Sequence, residues 1–269
     1  MTSAERDARV TALTPLTHWA QARLDELVAV AYQRIVERIE PYRRAGIVPA
    51  QTLRRSVRAN MQFMLDALTE PDSEVDTSAP TRTGRERAYQ GMPLPEVLGS
   101  YRISFAVLWE ALVSQAASRD SRGAGDGAGA TGALLASIGR IWELTDRHAV
   151  ALTEGYREAT AEMLVTAQHR RSALVEAMLS GQPGPQAAPW EAARLLGFPP
   201  NARVVVVAAE TRGLAEESLP GIEAALAAHG IVSGWRLTPA LQLGVVAFGD
   251  SGDDTARRSC GRSRLRGSG

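Results

Sequence analysis

Arg87, Tyr101, Arg102 and Trp109 are the residues whose types and spacing point to recognition of a small molecule. Tyr101 falls on one helical face with Phe105 and Trp109, and Arg102 borders that face. Arg87 precedes a break made by Gly91 and Pro93. An arginine drawn into an apolar interior needs an anion or a carboxylate, because an unpaired buried charge is costly. Its partner is either a sensed ligand or an internal glutamate, and the internal ion pair is the plainer expectation.

Other chemistries find less support. The four histidines, His18, His148, His169 and His229, have no His or Cys three or four residues away, so no zinc site is expected. No nucleophile elbow, H-E-x-x-H, P-loop or dinucleotide fingerprint occurs. The glycines from Gly123 to Gly132 do not join a strand to a helix and read as a mobile loop. All thirty basic residues are arginine, which excludes a Schiff-base or P-loop lysine. Cys260 stands alone, so neither an internal disulfide nor a multi-cysteine metal site is expected. The expectation is a protein without catalysis, metal or cofactor.

Thirty acidic residues balance the thirty arginines, but unevenly. Residues 251–269 hold five Arg against two Asp, while the first 250 hold twenty-five Arg against twenty-eight acids. The body is therefore not a general nucleic-acid-binding surface. The tail's arginines support only weak, salt-sensitive binding. No uninterrupted apolar run reaches the roughly 18 residues of a membrane helix. Met1–Val10 alternates charges and lacks the apolar stretch of a secretory signal. The expected compartment is the cytoplasm.

These residues must be held by helices first and strands later. Leu24, Leu27, Val28, Ala31, Ile35 and Ile39 predict one amphipathic helix over about residues 16–42, ended by Pro41 and Gly46. Pro49 opens a second helix, with Leu53, Val57, Met61, Met64, Leu65 and Leu68 on one face. An acidic loop over residues 71–80 leads to a short helix over 82–90. A strong helix then carries Val97, Leu98, Tyr101, Phe105, Leu108, Trp109, Leu112 and Val113. Residues 133–180 contain no proline, and their spacing predicts one long helix, with Ile138, Trp142 and Ala149 in register and a kink at Gly155. Such a helix is either the last helix of a bundle or a rod that joins two copies of the chain and carries a signal from one domain to the next, and an apolar stripe carried past one domain favours the rod.

After Gly181 the pattern changes. Pro183, Pro185 and Pro189 form a linker, and residues 190–196 a short helix. Arg203–Ala209 reads as a buried strand, 219–229 as a helix, and 231–237 and 241–248 as two strands. This β-α-β-β order opens a ferredoxin-like α/β sandwich. The fold class expected is therefore mainly α, a helical sensor-type bundle followed by an incomplete ferredoxin-like α/β domain. In that order the first strand is paired on both sides. Without a last strand, RVVVVAA becomes an exposed apolar edge.

The stretch Arg87–Trp109, RAYQGMPLPEVLGSYRISFAVLW, resembles the all-helical N-terminal domain of stressosome RsbR/RsbT co-antagonist proteins and of PucR/CdaR-type transcriptional regulators. The Arg-Ala pair, the Gly-x-Pro-Leu break, the Tyr-Arg pair and the tryptophan seven residues later carry the resemblance. HRRSALVEAMLSG and then ARLLGFPPNARVVVVAAE look like the entry into the GGDEF-like domain of the same regulators. The resemblance implies an RsbR-like helical sensor domain over residues 10–165, a partial GGDEF-like domain over 166–250 and a disordered basic tail over 251–269. It implies a signal-responsive regulator of transcription that touches DNA only through a helix-turn-helix beyond these residues; the homodimer expected through the long helix comes from the rod reading. Members continue past the equivalent of Asp250. Here the text becomes SGDDTARRSCGRSRLRGSG, without helix or strand periodicity, as a frame-shifted or truncated reading of a GC-rich gene would give.

Cyclases of the GGDEF class hold phosphates and metal on the hairpin between the second and third strands. The equivalent hairpin here, Leu237–Leu241, has neither glycine nor carboxylate, and Glu210 stands alone at a strand end. Cyclase activity is not expected. The family's helical domain is described as globin-like, which makes His148 the position for a haem ligand, although a packed histidine is the plainer expectation. Two other functions stay open: a partner-binding scaffold in the manner of stressosome co-antagonists, and a haem or small-ligand sensor.

Overall fold

The computed structural model describes residues 3–44, 46–69, 76–121, 123, 129–182, 187–211, 213 and 216–248, with side-chain surroundings from residue 13 onward. The linker prolines 183 and 185, the centre of the glycine-rich loop and the tail 251–269 lie outside the described residues. So does the first half of the acidic loop, residues 71–75. The chain divides into two compact units, Met1–Met163 and Leu164–Gly269. Ten helices and three strands occur among the described residues, a mainly α fold with a small α/β part.

The first unit is a helical bundle. Its first expected helix is three: α1 (Ser3–Ala22), α2 (Leu24–Arg38) and α3 (Glu40–Arg43). Pro41 explains the second break. It lacks an N–H, and Ile39 before the short helix turns extended at φ −117°, ψ 103°. The break at Arg23 has no proline or glycine to announce it. Leu24, Leu27, Val28, Ala31 and Ile35 are buried together, as their spacing requires. α4 (Ala50–Thr69) contributes Leu53, Val57, Met61, Met64 and Leu65 to the same core. α5 (Ser78–Tyr89) begins four residues earlier than expected.

α6 (Leu94–Asp120) is the central helix and packs against α1, α2, α4, α5 and α7. Its mean hydropathy reaches 1.2 over 18 residues, so by length and composition it could cross a membrane. Val97, Val107, Leu108 and Leu112 instead fill the core of the bundle. α7 (Ala130–Ala136) is separate from α8 (Ile138–Ser180), so the single rod expected from residue 133 is interrupted at Ser137. The Asp120 carboxylate accepts the α7 backbone N–H groups of Ala130 (2.7 Å) and Thr131 (3.0 Å). The Thr131 side chain, together with those backbone N–H groups, holds its carboxyl below the usual range, and the bonds tie the end of α6 to the start of α7. α8 then runs 43 residues without interruption. Its buried stripe is Ile141, Leu144, His148 and Leu152, while Ile138 and Trp142, expected in register, are exposed.

The second unit holds the last part of α8, α9 (Pro189–Leu195), β1 (Arg203–Glu210), α10 (Ile222–Ala227), β2 (Val232–Leu237) and β3 (Leu241–Phe248). The sheet order is β1-β3-β2, antiparallel throughout. β1, α10 and β2 thus form a split β-α-β unit with β3 inserted between its strands. Leu174, Val175 and Ala177 of α8 pack with Val245 and Ala247 of β3. Arg171 pairs with Glu223 and also donates to the Ser233 carbonyl (2.8 Å), and Arg236 pairs with Glu176. The valine run of β1 is not the buried strand its composition suggests. Val204, Val205 and Val206 are exposed, because the buried cluster of this unit takes Val245 and Ala247 of β3 and no residue of β1, which is an edge with one strand neighbour among the described residues.

Candidate functional site

Arg87 is enclosed between α5 and α4, with 1% of its surface exposed. Its guanidinium donates to Gln90 Oε1 (2.8 Å) and to Ser56 Oγ (2.7 Å), and its Nε–H has no partner. The nearest carboxylate is Glu86 at 3.9 Å, and Glu86 also lies 3.7 Å from Arg55. The expected internal ion pair is therefore loose, and neutral oxygens do most of the solvating. Buried positive charge held this way is unusual.

α5 is held against α8 by two glycines. A Cβ on Gly84 would run into the Leu152 carbonyl oxygen, and one on Gly155 into the Thr81 carbonyl oxygen. Gly155 therefore permits a close helix crossing and causes no break in α8. Beyond the crossing, Arg85 pairs with Glu162 (2.8 Å), and the Tyr89 hydroxyl donates to the same carboxylate (2.7 Å). That hydroxyl and that guanidinium hold the Glu162 carboxyl below its ordinary range.

Tyr101 and His148 meet across α6 and α8. Their rings stack 4.0 Å apart at 7°, and Phe63 of α4 meets the imidazole edge-on at 5.0 Å. The Tyr101 hydroxyl donates to the Thr145 carbonyl (3.2 Å). Burial pushes the phenol up to about 12 and the imidazole down to about 3, so both are neutral near pH 7. Neither imidazole nitrogen has a hydrogen-bond partner or any contact with solvent. With one face under Tyr101 and both nitrogens enclosed, His148 offers no room for a haem iron, and the residues do not fit that group. Among the described residues, no three His, Cys, Asp or Glu side chains converge to hold a metal.

Outside this stack, α6 and α8 enclose a groove of about 430 Å³. Leu98, Tyr101 and Arg102 line it from α6, and Trp142, Val150 and Arg157 from α8. The structure thus brings Tyr101 and Arg102 to one groove and places Arg87 elsewhere, in the interior. Trp109 is half-buried against the bundle core and does not line the groove. Trp142 and Arg157 were missed by sequence reasoning. The signal was present in the α8 buried stripe 141, 144, 148, 152, which leaves 142 and 157 outside it.

In the second unit the β2–β3 turn is closed by Thr238, whose N–H and hydroxyl both donate to the Leu241 carbonyl (2.8 Å each). A family model described as the RsbT co-antagonist protein rsbRD N-terminal domain matches residues 25–171, from α2 into the second half of α8. No curated protein and no solved structure matches the chain.

Proposed function

The chain belongs to the family of the RsbT co-antagonist protein rsbRD N-terminal domain, and on that premise we propose that it is a signal-responsive regulator whose helical unit receives a signal and whose α8 relays it. The supporting observation is α8 itself. It runs unbroken from the family-matched bundle into the βαββ unit. Between them, residues 161–170 remain helical although nearly all are exposed, and Leu164 (67%) and Val165 (55%) present apolar surface. A bare helical stretch with an apolar patch gains stability from a second helix. In this reading two copies associate through α8, and a change in the bundle alters that pairing. The protein acts in the cytoplasm without catalysis, as a regulator of transcription of the PucR/CdaR kind. The βαββ unit is the beginning of a GGDEF-like domain, and DNA contact is made by a module other than the two units.

Light scattering of the purified chain tests the pairing. The expected mass is that of two chains, falling to one in the double variant Leu164→Glu/Val165→Glu with unchanged helix content. A wild-type mass of one chain at tens of micromolar overturns it. The family's name favours a second reading, a scaffold that acts by binding a partner protein. Capture of a defined RsbT-type partner by a chain that does not self-associate would favour it.

A further inference from the structure

One side of α8 carries apolar side chains that the bundle does not cover. At 3.6 residues per turn, Ile138, Trp142, Val150 and Leu164 fall within about a third of the helix circumference, with Asp146 and Arg157 between them. All six are exposed, Trp142 to 65% and Val150 to 48%. Gly155, which meets α5, lies on the other side of the helix. The outward face of a bundle helix is ordinarily polar, so an apolar stripe there marks a contact surface. The groove beside the stripe is long. Its α8 wall runs from Trp142 to Arg157, about 22 Å at the helical rise, and Leu98 and Tyr101 of α6 stand opposite. A small molecule fills only part of such a length, whereas a helix fills all of it.

The charges identify that helix and its direction. We propose that the groove between α6 and α8 receives the α8 of a second copy of the chain, running antiparallel. Laid side by side in the same direction, two α8 helices would set Asp146 against Asp146 and Arg157 against Arg157. In opposite directions, with the twofold axis between residues 151 and 152, Asp146 of each copy stands level with Arg157 of the other. The same register sets Trp142 level with Ala161, a large side chain over a small one, and Val150 level with Thr153. Neither Asp146 nor Arg157 forms an ion pair within its own chain among the described residues, so both are available across the axis. Exposed ion pairs add little affinity and mainly fix orientation, while the covered apolar stripe supplies the affinity. The inference rests on the pairing through α8 and deepens it, giving its direction, its register and its extent back along the bundle to Trp142. A change that moves α6 relative to α8 then alters the seat of the partner helix directly.

Sedimentation equilibrium on the full chain tests it by charge exchange. Asp146→Arg and Arg157→Asp each turn two attractions into two repulsions, and each should weaken the dimer about tenfold or more. The double variant Asp146→Arg/Arg157→Asp restores both pairs with their signs exchanged, and its dissociation constant should return to within about threefold of the wild-type value. Both side chains are exposed, and a circular-dichroism melt confirms that each variant folds. Oxidative cross-linking in a Cys260→Ser background reads the direction independently. Val150→Cys, about 5 Å along the axis from its copy, should form a covalent dimer, and Ala161→Cys, about 28 Å from its copy, should not. Single charge variants at wild-type affinity overturn the proposal. So does a double variant no tighter than the singles, or a covalent dimer through Ala161→Cys. With a two-chain wild-type mass, those results remove the antiparallel register and leave the α8 pairing standing. A one-chain wild-type mass at tens of micromolar removes the pairing and the register together.

Discussion

Arg87 in the helical unit is 1% exposed, and Val206 in the βαββ unit is 59% exposed. Residue polarity alone would have assigned them the other way round. The cause is what surrounds each element. α5 is a polar helix pressed against α8 by the Gly84 and Gly155 crossing, and its other side faces α4. A long side chain on that side has no route to water, so Arg87 is enclosed and takes Ser56 and Gln90 as partners. β1 has a strand on one side only among the described residues, and the packed residues of α8 lie on β3. Burial is therefore decided by the elements available to cover a residue, and composition only biases it.

The glycine crossing is where this contrast is easiest to break. Gly84→Ala and Gly155→Ala each place a methyl group against a backbone carbonyl oxygen that cannot rotate away. The helices must separate, and Arg87 and Glu162 lose their settings together. We expect each variant to lose about 3 kcal/mol of stability in the helical unit, read by urea unfolding. Gly139 is the control, because a Cβ there meets nothing within 4 Å. Gly139→Ala should be neutral or stabilise by up to about 1 kcal/mol. Equal effects at all three positions would mean that α5 is not clamped to α8.

The enclosed imidazole sharpens the same point through pH. Burial holds His148 at about 3 in the folded chain, against an ordinary value of about 6.5 in the unfolded chain. Between those values the unfolded state binds a proton that the folded state does not. Stability is therefore lost as pH falls below about 6.5, by about 2 kcal/mol at pH 5 from this group, and is unaffected by it above pH 7. His148→Phe keeps an aromatic ring against Tyr101 and Phe63 and removes the titration. Its stability should fall less between pH 7 and pH 5 than that of the wild-type chain, by about that amount. Parallel pH profiles would show that His148 is protonated in the folded state.

Much of this architecture is legible in periodicity. The buried face of α2, the start of α4 at Pro49, the extent of α6 and the β-α-β-β order all follow from spacing and from proline and glycine positions. The breaks at Arg23 and Ser137 do not, since neither has a residue that forbids helix. Gly155 shows a further limit. Spacing reveals a glycine inside a helix but not the Thr81 carbonyl that it faces. The site is harder still. Tyr101 sits on the apolar face as its spacing indicates, yet its stacking partner is 47 residues away. Arg87 is recognisable as a candidate for burial, but Ser56 as its partner is set by how α4 and α5 meet.

The smallest expected effect tests the exposed side of the comparison. Val206 of β1 stands directly opposite Val245 of β3, so both project from the same face of the sheet. Val245 is 1% exposed, beneath the packing of α8, and Val206 is open. Val245→Ala should cost about 2 kcal/mol through lost burial and a residual cavity. Val206→Thr keeps the β-branched shape and replaces one exposed methyl by a hydroxyl, so stability should change by less than about 0.5 kcal/mol. Its larger effect should be on self-association, because an apolar edge strand with free backbone groups is a template for pairing with other chains. The concentration at which the chain begins to scatter light should therefore rise in Val206→Thr and stay unchanged in Val245→Thr that remains folded. If Val206→Thr instead destabilises as much as Val245→Ala, the outer face of β1 is covered in solution. The contrast between a closed bundle and an open sheet would then be a property of the isolated units rather than of the working protein.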